Sequence, residues 1–147
     1  MKASLARREK GAVAIEFALV FTMFFAVFYG LLSYSLPMLM VQSFNQASSE
    51  AVRRCVALDP SSSTYATDVT NLARQVLQQQ LAWLPGSLSF QYTSDATVTL
   101  TPGRLLTVNI HYDKSKITSV LPVLVLPLIG EVPRLPTRLS AQASLQL

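Results

Sequence analysis

Two residues near the start of this 147-residue chain have chemistry out of keeping with their surroundings, Gly11 and Glu16. Glu16 is the last charged side chain before a run from Phe17 to Val41 that contains no Asp, Glu, Lys or Arg. At 1.5 Å per residue that run makes about 37 Å of helix, enough to cross a hydrocarbon core of about 30 Å. A carboxylate near such a span is disfavoured, by up to about 3 kcal/mol at its centre, and calls for a partner. Gly11 stands just before it and lacks a Cβ, so its backbone can be approached closely by another molecule. The chemistry these two offer is backbone recognition and charge pairing.

The remaining candidates make no catalytic constellation. His111 is the only histidine, and one imidazole does not make a metal site without clustered ligands. It alternates outward beside Asp113, as a solvated side chain would. Ser61, Ser62 and Ser63 form a turn, not a nucleophile elbow. Trp83 closes a helical segment and reads as core or interface, while Pro102-Gly103-Arg104 reads as a turn. No catalytic residue, metal site or cofactor is expected, and the chain does not read as an enzyme.

Charge is distributed unevenly. Twelve basic and eight acidic residues give a net +4, but Lys2, Arg7, Arg8 and Lys10 against Glu9 place most of it in residues 1–11. The rest is close to neutral and lacks a basic patch with interleaved aromatics, so no nucleic-acid partner is expected. Cations flanking a first apolar span hold that end in the cytoplasm, which places residues beyond about 42 outside the membrane. A secretory signal cut near Ser33-Tyr34-Ser35 is the rival reading, but the apolar run is much longer than an h-region of roughly 7–15 residues.

The stretch Arg7-Arg8-Glu9-Lys10-Gly11-Ala12-Val13-Ala14-Ile15-Glu16-Phe17-Ala18-Leu19-Val20 resembles the processing signal of type IV pilin-like proteins, most of all the TadE-like pseudopilins of Flp (tight adherence, Tad) pilus systems. With Ala12 counted first, Glu16 is fifth. Residues 45–54, Ala-rich with Glu50 followed by Arg53 and Arg54, resemble the segment after the span in the same family. The resemblance implies a prepilin peptidase cutting between Gly11 and Ala12, and pilus subunits or pseudopilins, the Tad assembly complex and membrane lipid as partners. It implies pilus-based surface adherence and biofilm formation as the setting. Cleavage would leave an ammonium at Ala12, one helical turn from Glu16, and Glu16 of one subunit could neutralise that of its neighbour. The competing reading is an uncleaved single-span periplasmic module that binds a hydrophobic ligand or partner.

The elements that would position these groups follow from periodicity. Residues 1–11 read as a leader, 12–58 as one helix spanning the membrane at about 17–41, and 59–147 as a periplasmic head. Val41, Phe44, Ala47, Ala51, Cys55 and Leu58 form one helical face, so Cys55 reads as a buried hydrophobe. Pro37 lies within this helix and predicts a kink. A second helix is expected from about Thr67 to Leu84, with Gln78, Gln79 and Gln80 solvated, stopped by Pro85-Gly86. Period-two alternation then predicts about four antiparallel strands: Leu88/Phe90/Tyr92, Ala96/Val98/Leu100, Leu106 to Tyr112, and Leu139 to Leu147. Pro102-Gly103 is read as the centre of a type II turn. The fold class is α+β. Residues 117–130 carry no charge and are read as a loop covering the core; the alternative is an apolar docking surface at Leu121, Leu124, Leu126 and Ile129, facing the membrane or a neighbouring subunit.

Overall fold

The computed structural model describes residues 5–126 and 130–147, with side chains from Gly11 onward except at Leu126. Helix α1 (Leu5–Cys55) runs without interruption through Pro37. Helix α2 (Tyr65–Gln80) lies beside its outer half. Strands β1 (Ala96–Leu100), β2 (Leu105–Asp113) and β5 (Arg138–Gln146) form an antiparallel sheet in the order β1-β2-β5. Between β2 and β5 come a short helix α3 (Lys114–Thr118) and a two-stranded hairpin of β3 (Leu124–Leu126) and β4 (Gly130–Val132). The α+β expectation holds, with three strands in the main sheet.

Alternation sets which face of the sheet is covered. Leu106, Val108, Ile110 and Tyr112 of β2 are fully buried, and Leu139 and Ala141 of β5 nearly so. Their register partners alternate correctly, Tyr112 opposite Leu139 and Ile110 opposite Ala141. The intervening Ser140, Gln142, Ser144 and His111 are exposed. Such a sheet needs a layer on one side only. That layer is the outer half of α1, where Met40, Phe44, Ala47, Ala51 and Cys55 are completely buried, and α2 through Val69, Ala73, Val76 and Leu77. Alanines on both α1 and β5 let the helix approach the sheet closely. At the centre, Phe44 lies 5.6 Å from Phe90 and 6.0 Å from Tyr112, ring centre to ring centre. The Cys55 thiol donates to the Val69 carbonyl at 3.5 Å, and burial pushes its pKa up, as expected of a core residue.

Several local expectations are corrected. Leu88, Phe90 and Tyr92 alternate but make no strand. A 3-10 turn (Gly86–Leu88) ends at Ser89 with φ 50°, and the Asp95 carboxylate accepts the Gln91 N–H at 2.9 Å, bending the chain. Leu88 is buried and Phe90 half-buried all the same. The β1–β2 turn is not type II: the residue with positive φ is Arg104 (60°), one position after Gly103. Arg104 N–H reaches the Thr101 carbonyl at 2.9 Å and Thr101 N–H the Leu105 carbonyl at 3.0 Å, the bonding of a three-residue loop with a bulge. α2 begins two residues earlier and ends four earlier than expected, continuing as a turn to Leu84, and Trp83 is exposed. Residues 117–130 are not simply a loop, since α3, β3 and β4 draw on them.

Candidate functional site

The N-terminal site lies on a bare helix. Every residue from Gly11 to Phe28 is exposed, and cover from the head begins only at Tyr29 and Gly30. Gly11, Ala12 and Glu16 therefore stand together at the far end of α1, Ala12 and Glu16 on one face a turn apart. Among the described residues Glu16 has no hydrogen-bonding or ion-pair partner, and it is the sole charged side chain from Gly11 to Ser49. Gly11 is helical with no positive φ, and a Cβ placed on it would meet no atom within 4 Å. A glycine in a helix costs about 1 kcal/mol relative to alanine, so the fold itself gives no reason for Gly11.

Between Gly11 and the head, aromatic rings stack along α1. Phe17, Phe21, Phe25 and Tyr29 follow one another at 6.0, 6.2 and 6.5 Å between centres, and Phe24 and Phe28 form a parallel pair at 6.0 Å. These i,i+4 contacts are what a helix with this spacing makes. The best 18-residue window of α1 has a mean hydropathy of 2.2, so the helix is long and apolar enough to cross a membrane.

Where α1 enters the head, two tyrosines tie it to distant chain. Tyr29 donates its hydroxyl proton to the Pro122 carbonyl, and Tyr34 Oη accepts the Arg134 N–H at 2.8 Å. Just above, an open apolar groove of about 290 Å³ is lined by Tyr34, Pro37, Met38, Val41, Leu135 and Leu139, among others. Sequence reasoning missed the tyrosines as contact points, although two phenols in the outer half of a membrane-length run are the usual mark of an interfacial aromatic belt.

The second candidate surface is divided. Ile117 is fully buried and Leu121 is half-buried against the core, while Leu124 is 37% and Val125 72% exposed. Covering the core thus describes Ile117 and Leu121 but not Leu124. Leu126 pairs with Gly130 through the β3–β4 backbone, and Ile129 lies outside the described residues.

Farther out, Glu50 is bound by Arg54 at 2.7 Å and by Arg53 at 2.7 Å. Those guanidiniums, Arg54 first, hold its carboxyl below the usual range. An unforeseen buried pair joins Asp95, 6% exposed, to Lys116, whose Nζ donates to both carboxylate oxygens at 2.8 and 2.7 Å. His111 is exposed, and among the described residues no cluster of His, Cys, Asp and Glu could hold a metal ion.

These features define a class: a small α+β head built on the outer half of one long helix, whose inner half is bare, apolar and fit to span a membrane. Within that class, residues 11–53 match the family model of the TadE-like proteins. The match spans Gly11, Glu16, the apolar run and the Glu50-Arg53 pair, while Arg7 to Lys10 and Arg54, which also carry the resemblance, lie outside it; it connects the chain with Tad/Flp pilus systems and pilus-related partners in general. No curated protein and no solved structure matches the chain.

Proposed function

We propose that the protein is a membrane-anchored pseudopilin, cut by a prepilin peptidase between Gly11 and Ala12, that takes part in assembling a Flp-type pilus for surface adherence. Its N-terminus lies in the cytoplasm, α1 crosses the inner membrane once, and the head stands on the far side. The observation that carries this reading is the pairing of Gly11, which the fold does not require, with Glu16, which has no partner among the described residues. A protease that must reach the backbone supplies a reason for the glycine. A neighbouring subunit's new Ala12 ammonium supplies a partner for the carboxylate, and in a low-dielectric surrounding either charge alone penalises a wrong register.

Intact-mass measurement of membrane-extracted protein, with and without the peptidase, tests it. The expected mature start is Ala12, and Gly11→Leu should leave full-length protein in the membrane with the head folded. A start at Leu36, or at Met1 in both strains, refutes the proposal. Glu16→Gln protein that is cleaved should still insert but lose pilus yield and co-purification with other pilus components; normal piliation removes the pairing role. The apolar groove beside Pro37 favours one second reading, an uncleaved periplasmic module for a hydrophobic ligand. An unprocessed N-terminus with no dependence on other pilus proteins would support it.

A further inference from the structure

The bare part of α1 ends where the chain flanking the hairpin meets the helix. Residues 11–28 make about 27 Å of helix, close to the roughly 30 Å of a hydrocarbon core. Above them Ser33 is 1% exposed, and Pro37 and Met40 are buried by the head. Centring the membrane on residues 17–41, as composition alone suggests, would sink this part of the head into hydrocarbon. If the head stays out, the boundary falls near Tyr29, and Tyr29 is bonded to Pro122 at the approach to β3. The Tyr34 bond to Arg134 pins the chain after β4 to the same stretch. Both ties lie about 15–22 Å along α1 from Phe44 at the centre of the core, so the hairpin is the membrane-proximal end of the head.

That end is built unlike the rest of the surface. Residues 117–130 contain no charged side chain, and Val120, Leu124 and Val125 are exposed at 40%, 37% and 72%. Glu131 stands opposite Val125 in the hairpin register, and Lys114 binds it at 3.1 Å. A paired charge there suits the headgroup boundary, and would be costly in the acyl core. Tyr29 and Tyr34 are the residues that belong at that depth.

We propose that the β3–β4 hairpin is a second, shallow membrane contact, seating Val120, Leu124 and Val125 in the lipid interface beside the point where α1 emerges. The occupant of this apolar surface is lipid, because Tyr29 and Tyr34 tie the chain on both sides of the hairpin to α1 just above its bare part. The inference rests on α1 being the membrane anchor. It gives the hairpin a role in fixing how far the head stands from the bilayer and how it is turned about α1.

The test uses the full chain in phosphatidylcholine–phosphatidylglycerol vesicles, with Trp83→Phe removing the native indole. Single tryptophans are placed by Val125→Trp, by Phe21→Trp within the span, and by Asn71→Trp on the exposed side of α2, near the Cys55 end of the head. Lipids with spin labels at shallow and deep acyl positions, and aqueous iodide, serve as quenchers. Phe21→Trp should be quenched by the deep label and Asn71→Trp by iodide. Val125→Trp should be quenched by the shallow label, emit to the blue of Asn71→Trp, and be several-fold less sensitive to iodide. Emission and iodide quenching equal to those of Asn71→Trp would overturn the proposal. Protection from both lipid labels and iodide would also overturn it, since protein would then cover the hairpin. Failure of Phe21→Trp to meet any lipid label would instead refute the membrane anchor itself. Near-UV circular dichroism checks folding, and Leu124→Trp replaces Val125→Trp if that variant is unfolded.

Discussion

Replacing Lys116 by methionine should destabilise the head more than any other single removal of a surface-reaching charge. Lys116 Nζ lies 2.7 Å from Asp95 Oδ2, and at an effective dielectric of 20 that separation corresponds to about 6 kcal/mol of gross attraction. Desolvation offsets part of it. The Asp95 side chain is only 7% exposed, so its carboxylate could recover little hydration after Lys116 is gone; the Lys116 side chain keeps 25% exposure, so the pair is not fully dry. The expected loss is about 2–4 kcal/mol, at the lower side of the roughly 3–5 kcal/mol for breaking a buried pair. For a domain of this size it corresponds to a fall in Tm of roughly 10–25 °C. Thermal unfolding of full-length protein in detergent, followed by near-UV circular dichroism of the Phe44, Phe90 and Tyr112 rings, reads it directly. Asp95→Asn in the Lys116→Met background should recover more than half of the loss, because an amide oxygen still accepts the Gln91 N–H without a buried charge. A single variant as stable as wild type, or a double variant less stable than the single, would refute the reasoning.

Arg104→Gly should stabilise the head by about 1 kcal/mol, since the αL conformation at φ 60° costs a side-chain-bearing residue roughly that much; urea unfolding should show a raised midpoint at unchanged m. Burial, followed by the nearby Asp95 charge, pushes the Tyr112 phenol up to about 12. Because its folded pKa lies above the unfolded value of about 10, its contribution is whole below pH 10 and is lost as pH rises towards 12. Tyr112→Phe should flatten that alkaline decline in a pH series of unfolding midpoints, while lowering stability at neutral pH by about 1–3 kcal/mol because the Leu88 carbonyl loses its donor.

The parts of the fold legible in the sequence are those in which one period persists. Phe44, Ala47, Ala51 and Cys55 repeat every three or four residues, β2 alternates along its nine residues and β5 from Arg138 to Ala143, so solvent selects the buried face there. Leu88, Phe90 and Tyr92 also alternate, but a side chain three residues on competes for the backbone: Asp95 captures the Gln91 N–H, and the chain turns. Residues 117–130 carry no period at all in the sequence, and the ties around them come from far along the chain, Pro122 to Tyr29 and Arg134 to Tyr34. The Lys116–Asp95 pair escaped for the same reason, its members being separated by the whole of β1 and β2. Gly11 and Glu16 stand out in the sequence through local contrast, a flexible residue in a helix and a charge in an apolar run, and the structure leaves both exposed. The stretch of α1 that the head covers was not legible, because hydropathy cannot tell an apolar helix face left bare from one packed against the head.

An unbroken α1 makes the head a passenger on a stiff rod. No linker separates the bare segment from the outer half that forms the core, and Pro37, where α1 lacks a backbone donor, lies within the stretch that the head already covers. Transmembrane helices tilt by about 20° on average, and Phe44 lies about 36 Å along α1 from the middle of the bare segment. With α1 as the proposed anchor, a tilt of that size about the midplane would carry the centre of the head about 12 Å sideways. Force applied to the inner end of α1 therefore reaches the sheet as displacement, without being absorbed on the way.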